Sequence, residues 1–213
     1  MDEGATYNFP EVKTATEQGL VAIGGNLSIG TLLNAYKKGI FPWYNPGETI
    51  QWFSPDPRFV LFPEKIKISH SMRNVINQRP FRFTVDSDFA SVIRNCRTTR
   101  RTHEEGTWIS DEIEEAYNGL FKKGFAHSAE AWQNNELVGG LYGVLIDKVF
   151  FGESMFAKKS NASKFAFIKW VEVLKKNGVE LIDCQVYTPH LESLGAEFIP
   201  RKDFINLLEK LIA

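Results

Sequence analysis

The sequence predicts an α+β fold in two parts, a small N-terminal domain over residues 1–62 and a larger domain over residues 63–213. Three observations predict it. A chain of 213 residues, 43% hydrophobic and 24% charged, can bury a sizeable core without disulfide or metal staples. A stretch dense in Pro, Gly and aromatics, "FPWYNPGETIQWFSPDPRFVLF", separates the N-terminal segments from the rest. Beyond it, the apolar period changes from helical to alternating, back to helical, and then to a continuous strand-like run.

The elements follow in order. "SIGTLLNAYKKGIFPW" opens with a capping serine, Ser28; Leu32, Leu33 and Tyr36 recur at helical spacing, and Gly39 ends the run. The proline spacing of the next stretch forbids a regular helix and predicts an ordered loop that ends in a strand over 58–62. "SHSMRNVINQRP" reads as a helix with Arg73 exposed, and "FRFTVD" alternates like a strand. "DFASVIRNCRTT" and "SDEIEEAYNGLFKKG" are amphipathic helices, the second with Ser110 as N-cap and Gly124 past its last turn. "AHSAEAWQNNELVGGLYGVLIDKVFFGESMF" is a meander with turns at Asn134-Asn135 and Asp147-Lys148. "NASKFAFIKWVEVLKKNG" is a long helix, "VELIDCQVY" a continuous central strand, and "DFINLLEKLI" a closing helix.

Helices, an antiparallel meander, a long helix and then a strand is the order of the acyl-CoA N-acyltransferase (GNAT-like) architecture. Central strands part in that fold, and an acyl donor sits beside the gap. Order alone does not assign function. Coenzyme A users usually carry an R/Q-x-x-G-x-G/A loop before the long helix. Here that place reads "KKSNASKFA", without a glycine.

Cys96 and Cys184 are far apart and in no metal-like spacing, which argues for a reducing compartment. The acidic, polar N-terminus is no signal peptide, and no apolar run approaches the roughly 18 residues of a membrane span. A cytoplasmic protein without a membrane partner is expected. Net charge is −1. Between residues 63 and 101, nine Lys or Arg face three acids, so this stretch carries +6 and the remainder −7. Such asymmetry suits a polyanion on one face, or simply a solvated surface.

Alternation puts Asp183 and Gln185 on one face of their strand, where Asp183 would accept a hydrogen bond from the Gln185 amide and leave its carbonyl for a substrate N–H. A polar pair at an exposed strand end is the plainer reading. Glu153, in "FFGESMF", shares a face with Phe151 and Met155 by the same rule. Desolvation there raises its pKa unless a cation, such as a substrate ammonium, sits nearby; a glutamate facing water is the plainer reading. Tyr36, Trp43, Trp52, Trp108 and Tyr117 could stack on bases or be partial core. Leu141, Phe150, Phe167 and Trp170 read as core. His70, His103, His127 and His190 show no metal spacing, and neither a Walker loop nor a nucleophile elbow is present. Residues alone leave a CoA-dependent N-acyltransferase and a non-enzymatic tRNA-binding module open.

"LNAYKKGIFPWYNPGETIQWFSPDPR", "EEGTWIS", "GGLYGV", "FFGESMF", "NASK" and "LIDCQV" resemble, in the same order and over most of the chain, the leucyl/phenylalanyl-tRNA–protein transferases of bacteria. The resemblance implies a small N-terminal domain and a GNAT-like catalytic domain. It implies transfer of Leu or Phe, less readily Met, from aminoacyl-tRNA to the N-terminal Arg or Lys of acceptor proteins, creating an N-degron, with no cofactor and no metal. It implies Asp183 and Gln185 as the catalytic pair and Glu153 as the substrate contact. Leu141, Phe150, Met155, Phe167 and Trp170 would form the apolar wall. Trp43 and Trp108 would flank the terminal adenosine, with Tyr36 and Tyr117 in support. Arg73, Arg79 and Arg82, in the basic stretch, are expected on tRNA phosphates. Leu141, Trp170 and Thr188 stand where the family commonly has Met, Phe and Asn.

Overall fold

The structure, a computed structural model, describes residues 6–98 and 109–212. A small antiparallel sheet joins β1 (Leu20–Ile23), β3 (Gln51–Phe53) and β2 (Phe41–Pro42) in that order. Sequence reading saw only an ordered loop where β2 and β3 lie, because strands of two and three residues carry no detectable period. Between β1 and β2 runs α1 (Ile29–Lys37), started by Ser28, whose Oγ accepts the Thr31 N–H at 3.2 Å.

β4 (Arg58–Leu61) belongs to a second, seven-stranded sheet. Then come α2 (His70–Gln78), β5 (Arg82–Val85), α3 (Phe89–Thr98) and α4 (Asp111–Lys122). The meander is β6 (Ala126–Gln133), β7 (Glu136–Ile146) and β8 (Val149–Ala157). Its first turn has both Asn134 and Asn135 at positive φ, as a two-residue hairpin turn requires. α5 (Ala162–Lys176) crosses over to β9 (Leu181–Gln185). A short α6 (Pro189–Glu192), an edge strand β10 (Glu197–Ile199) and α7 (Arg201–Leu211) complete the chain. The large sheet runs β10-β4-β9-β8-β7-β6-β5.

One face of this sheet packs on α1, α3, α4 and α7, and the other on α2, α5 and α6, giving two separate apolar cores. Every neighbouring pair is antiparallel except β8 and β9, which run parallel and pair only at residues 149–151 with 181–183. β8 then continues to Ala157 with no further partner on the β9 side.

A bulge decides which way β8 presents its side chains. Tyr142 faces Ser154 but Gly143 faces Gly152, so Glu153 is the extra residue. Gly143 has no room for a side chain: a Cβ there would lie 2.2 Å from the Phe151 carbonyl oxygen and 2.5 Å from the Phe150 ring. The bulge corrects the expectation that Glu153 shares a face with both Phe151 and Met155. Phe151 packs in the core under α1 and α4, while Met155 packs in the core under α5.

Candidate active site

Where β8 and β9 part, a cleft of about 640 Å³ opens. Its apolar wall includes Leu141, Phe150, Met155 and Phe167, and the partly exposed rings of Trp43 and Tyr187 also line it. α5 brings Phe167, the meander brings Leu141, Phe150 and Met155, and the chain leaving β2 brings Trp43.

Glu153 and Gln185 also line the cleft. One oxygen of Glu153 accepts from the Tyr36 hydroxyl at 2.7 Å and from Gln185 Nε2 at 2.8 Å; the other accepts from the Tyr117 hydroxyl at 2.9 Å. The two tyrosine hydroxyls also touch each other; with one proton apiece, either can donate to the other only in place of its bond to Glu153. No cation is among these partners. Burial therefore pushes the carboxyl up to about 7, against the three hydrogen bonds that favour its charged form, and the nearby Asp183 charge adds to the rise. Burial, with the Glu153 charge, drives both tyrosine hydroxyls well above their ordinary range, so they stay protonated as donors.

Asp183 departs from its expected partner. It is fully buried, and Arg58 grips it with a fork: Nε to Oδ1 at 2.8 Å and Nη2 to Oδ2 at 2.6 Å. The Gln185 backbone N–H adds a third bond to Oδ1 at 2.9 Å, whereas the Gln185 side-chain amide donates to Glu153. The reason is conformational. Gln185 has φ +63°, so strand alternation ends there and its side chain leaves the Asp183 face. Neither residue is the exposed polar pair of the plainer reading.

Other expected site residues are distributed unevenly. Tyr36 and Tyr117 have no exposed surface and do not line the cleft; their hydroxyls act on Glu153, so neither ring is open to a nucleobase. Trp170 sits one layer back, its ring 5.5 Å from that of Phe150, and is absent from the wall. Trp108 lies outside the described residues. Arg73, Arg79 and Arg82 are exposed, on and after α2 and on edge strand β5, away from the cleft. Among the described residues they make no ion pair with a carboxylate, and Arg82 lies over the Trp132 ring at 5.3 Å. Lys65, Arg94 and Arg97, from the same basic stretch, pair with Glu197, Glu114 and Asp111.

Sequence reasoning missed Arg58 and His190. An arginine opening the apolar run "RFVLF" was the available signal for Arg58. His190 lines the cleft with a buried Nε2 that has no partner among the described residues, and burial lowers its pKa to about 4.

Fold and site define a mixed α+β protein whose parted strands enclose an apolar cleft with a partly buried, protonatable carboxylate. Among the described residues no helix is long and apolar enough to cross a membrane. The family model for leucyl/phenylalanyl-tRNA protein transferase matches residues 60–209, and the model of that family's N-terminal domain matches residues 25–56. A leucyl/phenylalanyl-tRNA–protein transferase of Syntrophus aciditrophicus is 53% identical over 207 residues, covering 97% of this chain and 87% of that one. The transferase so named in Christiangramia forsetii is 54% identical over 202 residues, 94% of this chain and 95% of that one. The chain belongs to the leucyl/phenylalanyl-tRNA–protein transferase family. Among solved structures, that of L-PGS from Bacillus licheniformis aligns at a TM-score of 0.43 and 14% identity, over 68% of this chain and 46% of that one, too low to assign a fold by.

Proposed function

We propose that this protein moves Leu or Phe, and Met less readily, from aminoacyl-tRNA to the N-terminal Arg or Lys of acceptor proteins in the cytoplasm. The product is a peptide bond and an N-degron. The observation that carries this reading is Glu153. A carboxylate held by three neutral donors at the edge of an apolar cleft suits a substrate with an apolar side chain and an ammonium group.

The parallel pairing of β8 with β9, joined through α5 and parting over the cleft, supports a GNAT-like scaffold. The family gives the donor class. Leu141, Phe150, Met155 and Phe167 receive the aminoacyl side chain, with Trp170 backing Phe150. Trp43 stacks on the terminal adenosine, joined there by Trp108. Arg73, Arg79 and Arg82 hold tRNA phosphates, which makes binding weaken with salt.

The ester donor is already activated, so no covalent enzyme intermediate is needed. An acceptor arriving as the ammonium gives one proton to Glu153; the α-amine, with an ordinary pKa near 7.7–8.0, is then neutral. Its nitrogen forms the bond to the ester carbonyl carbon. The bond from that carbon to the ribose oxygen breaks, and the ribose oxygen takes the second proton from nitrogen. Gln185 spends its amide N–H on Glu153 and offers its carbonyl oxygen to the attacking amine, so most of the help is orientation and proton removal.

The test is transfer of labelled Leu from charged tRNA to a peptide that starts with Arg, beside the same peptide starting with Ala. Label on the Arg peptide alone supports the reading. No transfer, together with heat on titration of acetyl-CoA, would favour a CoA-dependent acyltransferase. Binding of charged and uncharged tRNA alike, with no transfer, would favour an RNA-binding module.

A further inference from the structure

We propose that Arg58 is a positioning residue for the transfer reaction: its guanidinium fork fixes Gln185 through Asp183, and fixes the Trp43-bearing segment through Gly39. The reaction it serves is the one proposed above.

Arg58 is fully buried on β4, 125 residues from Asp183 in sequence. Three of its groups are committed. Nε and Nη2 bind the two oxygens of Asp183, and Nη1 donates to the Gly39 carbonyl at 3.2 Å. Its flat faces lie against Phe41, 4.7 Å away, and Phe204, 4.6 Å away. Gly39 is pinned as well: at φ +71°, a Cβ there would lie 2.6 Å from Ile205 of α7. One side chain thus joins β4, β9, α7 and the segment entering β2.

Two of those contacts run on to the cleft. Phe41 precedes Pro42 and Trp43, and all three line it. Asp183 Oδ1, held by Arg58, accepts the Gln185 N–H and so steadies a left-handed backbone that a residue with a Cβ rarely adopts. That backbone turn aims the Gln185 amide at Glu153. A lysine would keep the charge and lose the planar fork, which alone can serve three acceptors in fixed directions. The competing account is that Arg58 only neutralises a buried aspartate, a role apolar or neutral residues can often replace.

Two variants of the full chain separate these accounts. Arg58→Lys keeps the charge. Arg58→Met with Asp183→Asn removes both charges yet leaves an acceptor for the Gln185 N–H. The first readout needs no activity: titration of the Glu153 carboxyl by carbon NMR. Among the described residues, the groups facing that carboxyl are the Tyr36 and Tyr117 hydroxyls and the Gln185 amide, with the Asp183 charge nearby. Releasing the Gln185 amide removes a bond that favours the charged form, so in Arg58→Lys the midpoint moves to higher pH. The second readout is transfer of Phe from charged tRNA to an Arg-initiated peptide. Both variants are expected to fold, with kcat down roughly tenfold to a hundredfold and peptide KM little changed. A wild-type midpoint in Arg58→Lys, or transfer restored in the double variant, would overturn the proposal in favour of simple charge balance. Failure of both variants to fold would overturn it too, since Arg58 would then belong to the core. Should the wild-type protein itself transfer nothing, the functional reading falls, and the NMR titration still decides for or against Arg58.

Discussion

Two carboxylates on adjacent strands, Asp183 fully buried and Glu153 partly so, meet opposite treatment. Asp183, which borders the cleft but has no exposed surface, has a cation fitted to both of its oxygens. Glu153, beside the gap between β8 and β9, has three donors and, among the described residues, no cation. Both have hydrogen-bond partners, so hydrogen bonding does not tell them apart; charge compensation does. A carboxylate with its own guanidinium is framework. One with only neutral partners is held ready to change protonation or to meet a cation from outside.

The largest expected effect comes from removing the carboxylate that lacks a cation. Glu153→Gln should lower transfer by roughly a hundredfold or more. It should also make the protein more stable at pH 8. The folded pKa, about 7, lies above the ordinary value of 4.5, so between those values the folded state holds a proton that the unfolded chain has released. Stability contributed by that proton is complete below the lower value and is lost as pH rises through about 7. It amounts to about 3 kcal/mol by linkage. Denaturation at pH 5 and pH 8 measures it, and Glu153→Gln should flatten the difference. A variant with unchanged transfer and unchanged pH dependence would make both carboxylates framework and erase the contrast.

The opposite outcome is expected for Asp183 and its guanidinium. Arg58→Met or Asp183→Leu alone strands a buried charge and should cost about 3–5 kcal/mol at either pH. Arg58→Met with Asp183→Leu should cost clearly less than the two singles added, because no charge is left unpaired. Urea denaturation of the cycle is the measurement. Additive losses would mean that the pair is not coupled and that something other than charge balance holds Asp183.

A smaller change sharpens the contrast without removing either acid. Tyr36→Phe and Tyr117→Phe each delete one donor to Glu153 and cost about 1 kcal/mol in stability. Each lost bond favoured the charged form, so the Glu153 pKa rises further and the acid limb of the kcat/KM profile moves to higher pH. Transfer should fall a few-fold at pH 7 and recover above pH 8. A limb that stays in place would assign the titration to another group.

Much of the fold was legible because long elements repeat their period. α1, α4, α5 and the three meander strands lie where capping serines, glycines and alternation put them. Parity was harder to read. Alternation put Glu153 with Met155 and the Gln185 amide with Asp183, and a single backbone event defeated each: the bulge at Glu153 and the left-handed turn at Gln185. Neither glutamate nor glutamine advertises such a conformation as glycine or asparagine would. The same limit hid Arg58, whose partner lies 125 residues away and is found only when β4 pairs with β9. Composition near the cleft was readable, while the pairing of its polar groups was a property of the assembled sheet.

The distinction between cleft-facing and supporting groups extends to the apolar side, where the smallest effects are expected. Phe167 lines the cleft; Trp170 touches Phe150 from behind and is buried. Phe167→Ala enlarges the cleft directly, and apolar pockets discriminate by about 1–3 kcal/mol per methylene of fit. The ratio of Phe to Leu transfer should therefore rise by roughly tenfold. Trp170→Ala removes more volume but one layer further back, so its main cost is stability, about 3–5 kcal/mol. Phe150 can sink only part of the way into the space left, because interiors relax incompletely, and the donor ratio should move about twofold. Transfer efficiencies for Phe-tRNA and Leu-tRNA, measured on folded protein from both variants, test this. Equal shifts in the ratio would mean that Trp170 shapes the cleft as directly as Phe167 does, and that on the apolar side the second layer is as selective as the first.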